Sequence, residues 1–271
     1  MKIKYDLLLK KSWMGMKNNL IVFLPLVYSI ALGLVFLIMM LLEFLLFIGL
    51  LPDPRVELIR FLYFAVPIGL IDILLLILLT SVINAMYINL LNLVSRDYKA
   101  TNKDLLQGIK KYAYLYFKVQ MIKFSIILIP ILILGLIIFL GFLISKLFGL
   151  LLVVILGLIL FIYIILASLF MVFGLLFLEP IMTTIKLSSA IELIKLSFKY
   201  AKNNYTHIFI TWLIMFAINF VLSIIVEFTF FSPFVILIIP IILLVIVRIV
   251  ANIWLRIFLF NSYFNKNIKK L

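Results

Sequence analysis

The stretch "FSIILIPILILGLIIFLGFLIS", residues 124–145, decides the fold. It carries no ionisable side chain, and it is as long as the run of about 20 helical residues that crosses a hydrocarbon core of about 30 Å. A strand of a transmembrane barrel would alternate apolar and polar positions over a short segment. This stretch does not alternate. Similar runs recur along a chain of 271 residues that is 68% hydrophobic and 13% charged. No soluble domain of this size has the interior to hide so much apolar surface, because compact folds still leave a large share of their area in water. The expected class is an all-α polytopic membrane protein, a single transmembrane domain over 1–271.

Six spans follow from the apolar runs: Leu20–Ile48, Leu62–Leu91, Phe124–Ser145, Leu147–Leu178, Ile208–Val226 and Phe234–Trp254. The first ends before the turn "LPDPR". The third and fourth are separated only at Lys146. The fourth is expected to stop at Glu179-Pro180, since proline cannot easily extend a helix. "EFTFFSP" turns the chain after the fifth. The first run is too long for a signal-peptide core and no small-residue cleavage site follows it, so it is expected to remain as a span.

Basic residues set the orientation. Lys2, Lys4, Lys10, Lys11 and Lys17 precede the first span. Arg96, Lys99, Lys103, Lys110, Lys111, Lys118 and Lys123 lie between the second and third. Lys186, Lys195, Lys199 and Lys202 connect the fourth to the fifth, and Lys266, Lys269 and Lys270 end the chain. The other side holds only Arg55, Arg60 and Lys146. This asymmetry places both termini in the cytoplasm of a cell membrane. The net charge of +14 therefore points to anionic lipid head groups, not to nucleic acid.

One polar phrase repeats. "LKKSWMGMKNN" (9–19) returns as "IKLSFKYAKNN" (194–204), and a fainter copy, "LLQGIKKYAYLYF" (105–117), has Gly108 in place of Ser12 and lacks the Lys-Asn-Asn ending. At 100° per residue, Leu9, Trp13, Met16 and Leu20 form an apolar stripe, as do Leu105, Ile109, Tyr112 and Tyr116, and Ile194, Phe198, Ala201 and Tyr205. Lys10, Lys11, Lys17, Lys110, Lys111, Lys195, Lys199 and Lys202 lie around the other faces. Each copy reads as a basic amphipathic helix at the membrane surface, its stripe in the acyl chains and its lysines at the phosphates, or as a collar extending the spans. Asn-Asn suits the bend between surface helix and span. Three units, about 1–95, 96–180 and 181–271, follow.

The segment around the third copy, through Ala190, Ser197, Phe198, Lys202, Asn203 and Asn204, resembles the multi-pass membrane domain associated with some glycerophosphodiester phosphodiesterases, and related uncharacterised prokaryotic membrane proteins. In that family, catalysis belongs to a separate soluble domain. The resemblance implies a membrane module and not a phosphodiesterase.

Ionisable groups at membrane depth are costly and therefore draw the eye. Asp72 lies about a turn past Pro67 and Gly69; it binds a proton or cation, bridges to another span, or sits near the outer interface. Arg248, Asn252 and Arg256 recur every four residues and are expected to share a face, with Arg248 either snorkelling or pairing with Glu179. Asn84, Asn89 and Asn92 add amides that bridge helices or join such a cluster. Glu43 and Glu227 read as outer interface markers. Cysteine is absent and His207 is the one histidine, so thiolate and histidine-rich metal sites are excluded. No phosphate-binding loop or nucleophile elbow is present. The expected role is non-enzymatic and cofactor-free: a lipid-interacting scaffold or component of a complex, partnered by the bilayer and another membrane protein. The alternative is a small transporter or channel subunit using Asp72 and Arg248.

Overall fold

The computed structural model describes residues 3–49, 57–185, 189–230 and 238–267. They form α1 (Tyr5–Asn18), a 3₁₀ turn (Leu20–Phe23), α2 (Leu24–Gly49), α3 (Glu57–Ser95), α4 (Asn102–Ile144), α5 (Lys146–Leu175), α6 (Leu178–Thr184), α7 (Ala190–Asn203), α8 (Tyr205–Phe230) and α9 (Ile238–Asn267). No strand occurs among them. Six stretches are long and apolar enough to cross a membrane: Leu20–Leu45, Val66–Ser95, Asn102–Ile144, Lys146–Thr184, Tyr205–Ile225 and Leu243–Lys266. The chain is an all-α polytopic membrane protein. Lys2, Arg55, Lys186, Lys269, Lys270, the first turn at 51–55 and residues 231–237 lie outside the described residues.

The spans pack as the hairpins α2–α3, α4–α5 and α8–α9. Their core gathers at one end. On α3, Ile83, Ala85, Ile88, Leu90 and Leu91 are buried, whereas Leu70, Ile71 and Leu74 to Leu76 are exposed. On α9, Leu255, Ile257, Phe258 and Phe260 are buried and Val245 to Val247 are not. At the far end Ile144 is 75% and Leu147 80% exposed. Each such side chain left in water forgoes roughly 1.5–3 kcal/mol. Dozens of them are compatible only with lipid as the surrounding solvent.

Local chemistry explains the breaks. Asn19 ends α1, its side-chain amide donating to the Gly15 carbonyl at 3.0 Å, and Asn204 ends α7 with the same bond to Tyr200 at 3.0 Å. Where the Asn-Asn ending is missing, the helix runs on: α4 is 43 residues long, from Asn102 through the third span. Thr101 and Asp104 start it as a capping box. The fourth span breaks at Leu176–Phe177, two residues before the expected stop. Pro180 then sits in the first turn of α6, where its missing N–H has no partner to lose. Between α4 and α5 only Ser145 is non-helical, and its hydroxyl accepts from the Phe148 amide at 3.1 Å. A Cβ on Gly149 would lie 2.4 Å from the Phe142 ring, so glycine permits that tight crossing.

α9 continues past Trp254 to Asn267, because the residues after it are core. α1 packs along this extension. Trp254 Nε1 donates to the Leu9 carbonyl at 3.0 Å, and Trp13 meets the Trp254 ring edge-on at 5.9 Å. Asn261 donates to Ser12 Oγ at 2.8 Å.

The packed face is shifted from the expected stripe on α1 and α7, while on α4 it keeps Leu105, Tyr112 and Tyr116 of the stripe and adds Gly108. On α1 it is Leu8, Ser12 and Met16, with Trp13 47% exposed. On α4 it begins with Leu105, Gly108 and Tyr112, and on α7 it is Ala190, Leu193 and Ser197. The small residue at the centre of each face is the cause, since close helix crossings need it. A Cβ on Gly108 would lie 2.6 Å from the Ala85 carbonyl, and Ser197 Oγ donates at 2.7 Å to the Gly174 carbonyl, at the same separation of 23 residues.

Candidate functional site

The polar site forms where α3, α4, α5, α6 and α9 converge, and its centre is Arg256. Steps of four residues drift by about 40° on an α-helix, so Arg256 lies about 80° around α9 from Arg248. That drift corrects the expected shared face. Arg248 and Asn252 are exposed, while Arg256 turns into the bundle. Glu179 is therefore paired with Arg256 and not with Arg248. Arg256 Nη2 donates to Glu179 Oε1 at 2.8 Å and Oε2 at 3.0 Å, and to Asn84 Oδ1 at 2.9 Å. Its guanidinium carbon lies 4.6 Å from the centroid of the Tyr87 ring. Tyr116 donates to Glu179 Oε1 at 3.3 Å. A guanidinium with a carboxylate, an amide and an aromatic face around it is well matched to a site away from bulk water.

A cavity of about 700 Å³ opens beside this pair. Tyr116, Gln120 and Lys123 of α4 line one wall, spaced so that one helix face presents all three. Thr80, Ser168, Glu179 and Arg256 complete the polar lining, and Ile77, Phe124, Ile127 and Val172 form apolar walls. Lys123 makes no close ion pair among the described residues; Glu179, bound to Arg256, acts on it only from farther off. Two cations and one carboxylate leave the cavity one positive charge. A second space of about 480 Å³ adjoins it and shares Lys123, Met171 and Leu175; Ile126, Leu166, Phe170 and Phe198 make it almost wholly apolar.

The other expected residues lie elsewhere. Asp72 is buried on α3, and its carboxyl lies beside that of Glu43 of α2. Glu43 is thus the partner carboxyl that its position in sequence, as an interface marker, conceals. Neither Asp72 nor Arg248 lines the polar cavity. Asn89 bridges to the Asp104 carbonyl at 2.7 Å, tying α3 to the start of α4. Lys10, Lys11, Lys17, Lys110, Lys111, Lys195, Lys199 and Lys202 are all exposed. Lys11 pairs with Asp97 at 2.7 Å, also at the surface.

His207 is buried at the start of α8. Its Nδ1 lies 2.9 Å from the Tyr5 hydroxyl and its Nε2 3.3 Å from Ser262 Oγ, which in turn lies 3.1 Å from Thr211. Burial pushes the Tyr5 phenol above its usual range, so it stays neutral in this network. The ring also stacks on Phe177 at 5.4 Å. These bonds join α1, α8 and α9 and serve packing. Among the described residues no group of three His, Asp or Glu side chains is arranged to hold a metal.

Sequence reading missed Lys123, Gln120 and Tyr116 as a set, because Lys123 was counted with the surface lysines. The signal was present in their spacing of four and three residues. No family model, curated protein or solved structure matches the chain.

Proposed function

We propose that the chain is a non-enzymatic, lipid-interacting scaffold of a cell membrane, with both termini in the cytoplasm. It is built from three units, each a basic surface helix followed by a hairpin of spans. The observation that carries this reading is the division of labour on α1, the start of α4 and α7. One face of each packs on a span, while its lysines, all eight of those named, stand exposed. Lysine at that level meets anionic head groups, each worth about 1 kcal/mol near a charged leaflet. The shared bonds of Asn19 and Asn204 and the matching contacts of Gly108 and Ser197 support the three-unit description. The resemblance of the third copy to a phosphodiesterase-associated membrane module accords with it. Exposed Arg248, and Asp72 set beside Glu43 away from the polar cavity, give a transport route through those two residues no comparable support.

The test is native mass spectrometry from nanodiscs containing phosphatidylglycerol. Replacing Lys195, Lys199 and Lys202 together with Gln is expected to reduce the number of loosely retained anionic lipids, and more so at low ionic strength. Unchanged retention would remove the lipid-surface reading.

A further inference from the structure

We infer that the cavity beside Arg256 and Glu179 is a site for one anionic phospholipid, whose head group binds at Lys123 and whose acyl chain enters the adjoining apolar space between α4 and α5. The inference rests on the lipid-interacting reading above and gives it a specific ligand. Three observations converge. First, the polar cavity carries one uncompensated positive charge, because Arg256 satisfies Glu179 while Lys123 has no ion-pair partner among the described residues. A half-buried lysine at the start of a span is costly unless something pairs with it, and an ammonium is a good point-charge partner for phosphate.

Second, hydrogen-bonding groups surround that charge. Gln120 and Ser168 face the same cavity as Lys123, so the oxygens of a phosphodiester would meet an ammonium, an amide and a hydroxyl. Third, the cavity is continuous in its lining with an apolar one. Lys123, Met171 and Leu175 belong to both, and beyond them Phe170 and Phe198 stack at 4.5 Å to form a wall for a chain. A cavity of about 700 Å³ lies within the roughly 300–1,000 Å³ of small-molecule sites, and the second extends it. A soluble anion would use the polar half and leave the apolar half without a purpose. A neutral lipid would leave Lys123 unpaired. An anionic lipid uses both.

The experiment separates this site from the surface lysines. The protein is reconstituted with phosphatidylglycerol or phosphatidylcholine, transferred to delipidating detergent, and the most tightly retained lipid is counted by native mass spectrometry. Wild type is expected to keep one phosphatidylglycerol in preference to phosphatidylcholine. Lys123→Gln should weaken its retention by about tenfold, the loss of one charge-assisted contact. Ser168→Phe leaves every charge in place and fills the cavity, and it should have a similar effect. The Lys195, Lys199 and Lys202 triple variant should retain this one lipid while losing the loosely bound ones. The inference is overturned if both cavity variants retain the lipid as wild type does, or if phosphatidylcholine is held equally well. It is also overturned if millimolar inorganic phosphate displaces the lipid from wild type, since a soluble anion would then be the better ligand. Loss of only the loosely bound lipids in the triple variant supports the surface reading whatever the cavity variants do.

Discussion

At the scale of the residue, the Arg256–Glu179 pair dominates. Its side chains are 25% and 17% exposed, so neither ion can regain full hydration if the other is removed. Glu179→Ala leaves a guanidinium with only Asn84 and the face of Tyr87, and it is expected to cost roughly 3 kcal/mol. Replacing both residues with Met should cost much less, because no charge is then stranded. Thermal unfolding in detergent measures both, and a double-variant loss equal to the sum of the losses of Glu179→Met and Arg256→Met alone would show that the pair is not coupled. Asn84 shows how such a site stays hidden in sequence. It is one of three asparagines on α3, yet it alone reaches Arg256, while Asn89 turns to the Asp104 carbonyl. Depth in a span is readable from a sequence; rotation about the helix axis, after several turns of drift, is not.

At the scale of the element, the surface helices depend on small residues where they cross the spans. Gly108 has no space for a side chain, since a Cβ would meet the backbone of α3. Gly108→Ala is expected to cost about 2 kcal/mol through overpacking. Ser12→Gly keeps the crossing close but leaves the Asn261 amide without its acceptor, for a loss of about 1 kcal/mol. The order of the two melting temperatures checks this; a harmless Gly108→Ala would mean that the α3–α4 crossing is loose. The repeated polar phrase was legible as a helix and its ends were legible from Asn19 and Asn204. Its packed face was not. The apolar stripe pointed to Trp13, but a helix docks through the side where its backbone can come nearest, and Ser12 marks that side.

At the scale of the whole molecule, the number of spans was readable because lipid imposes long uncharged runs on any helix that crosses it. The cavity was not, because Tyr116, Glu179 and Arg256 come from distant segments and meet only through the packing of three hairpins. Orientation is open to a direct test, since the chain contains no cysteine. Lys103→Cys and Lys146→Cys are expected to react with membrane-impermeant maleimide from opposite sides of the membrane, Lys103→Cys from the cytoplasm. Labelling of both from one side would refute the proposed topology. The packing of α1 on α9 has a further consequence for biogenesis. Ser12 and Asn261 are 249 positions apart, and Leu9 and Trp254 are 245 apart. At about 5–20 residues per second, the ribosome takes on the order of 10–50 s to supply the partner of the first helix. Before then α1 has α3 to dock against, helped by the Lys11–Asp97 pair, so its seat is completed only when α9 arrives.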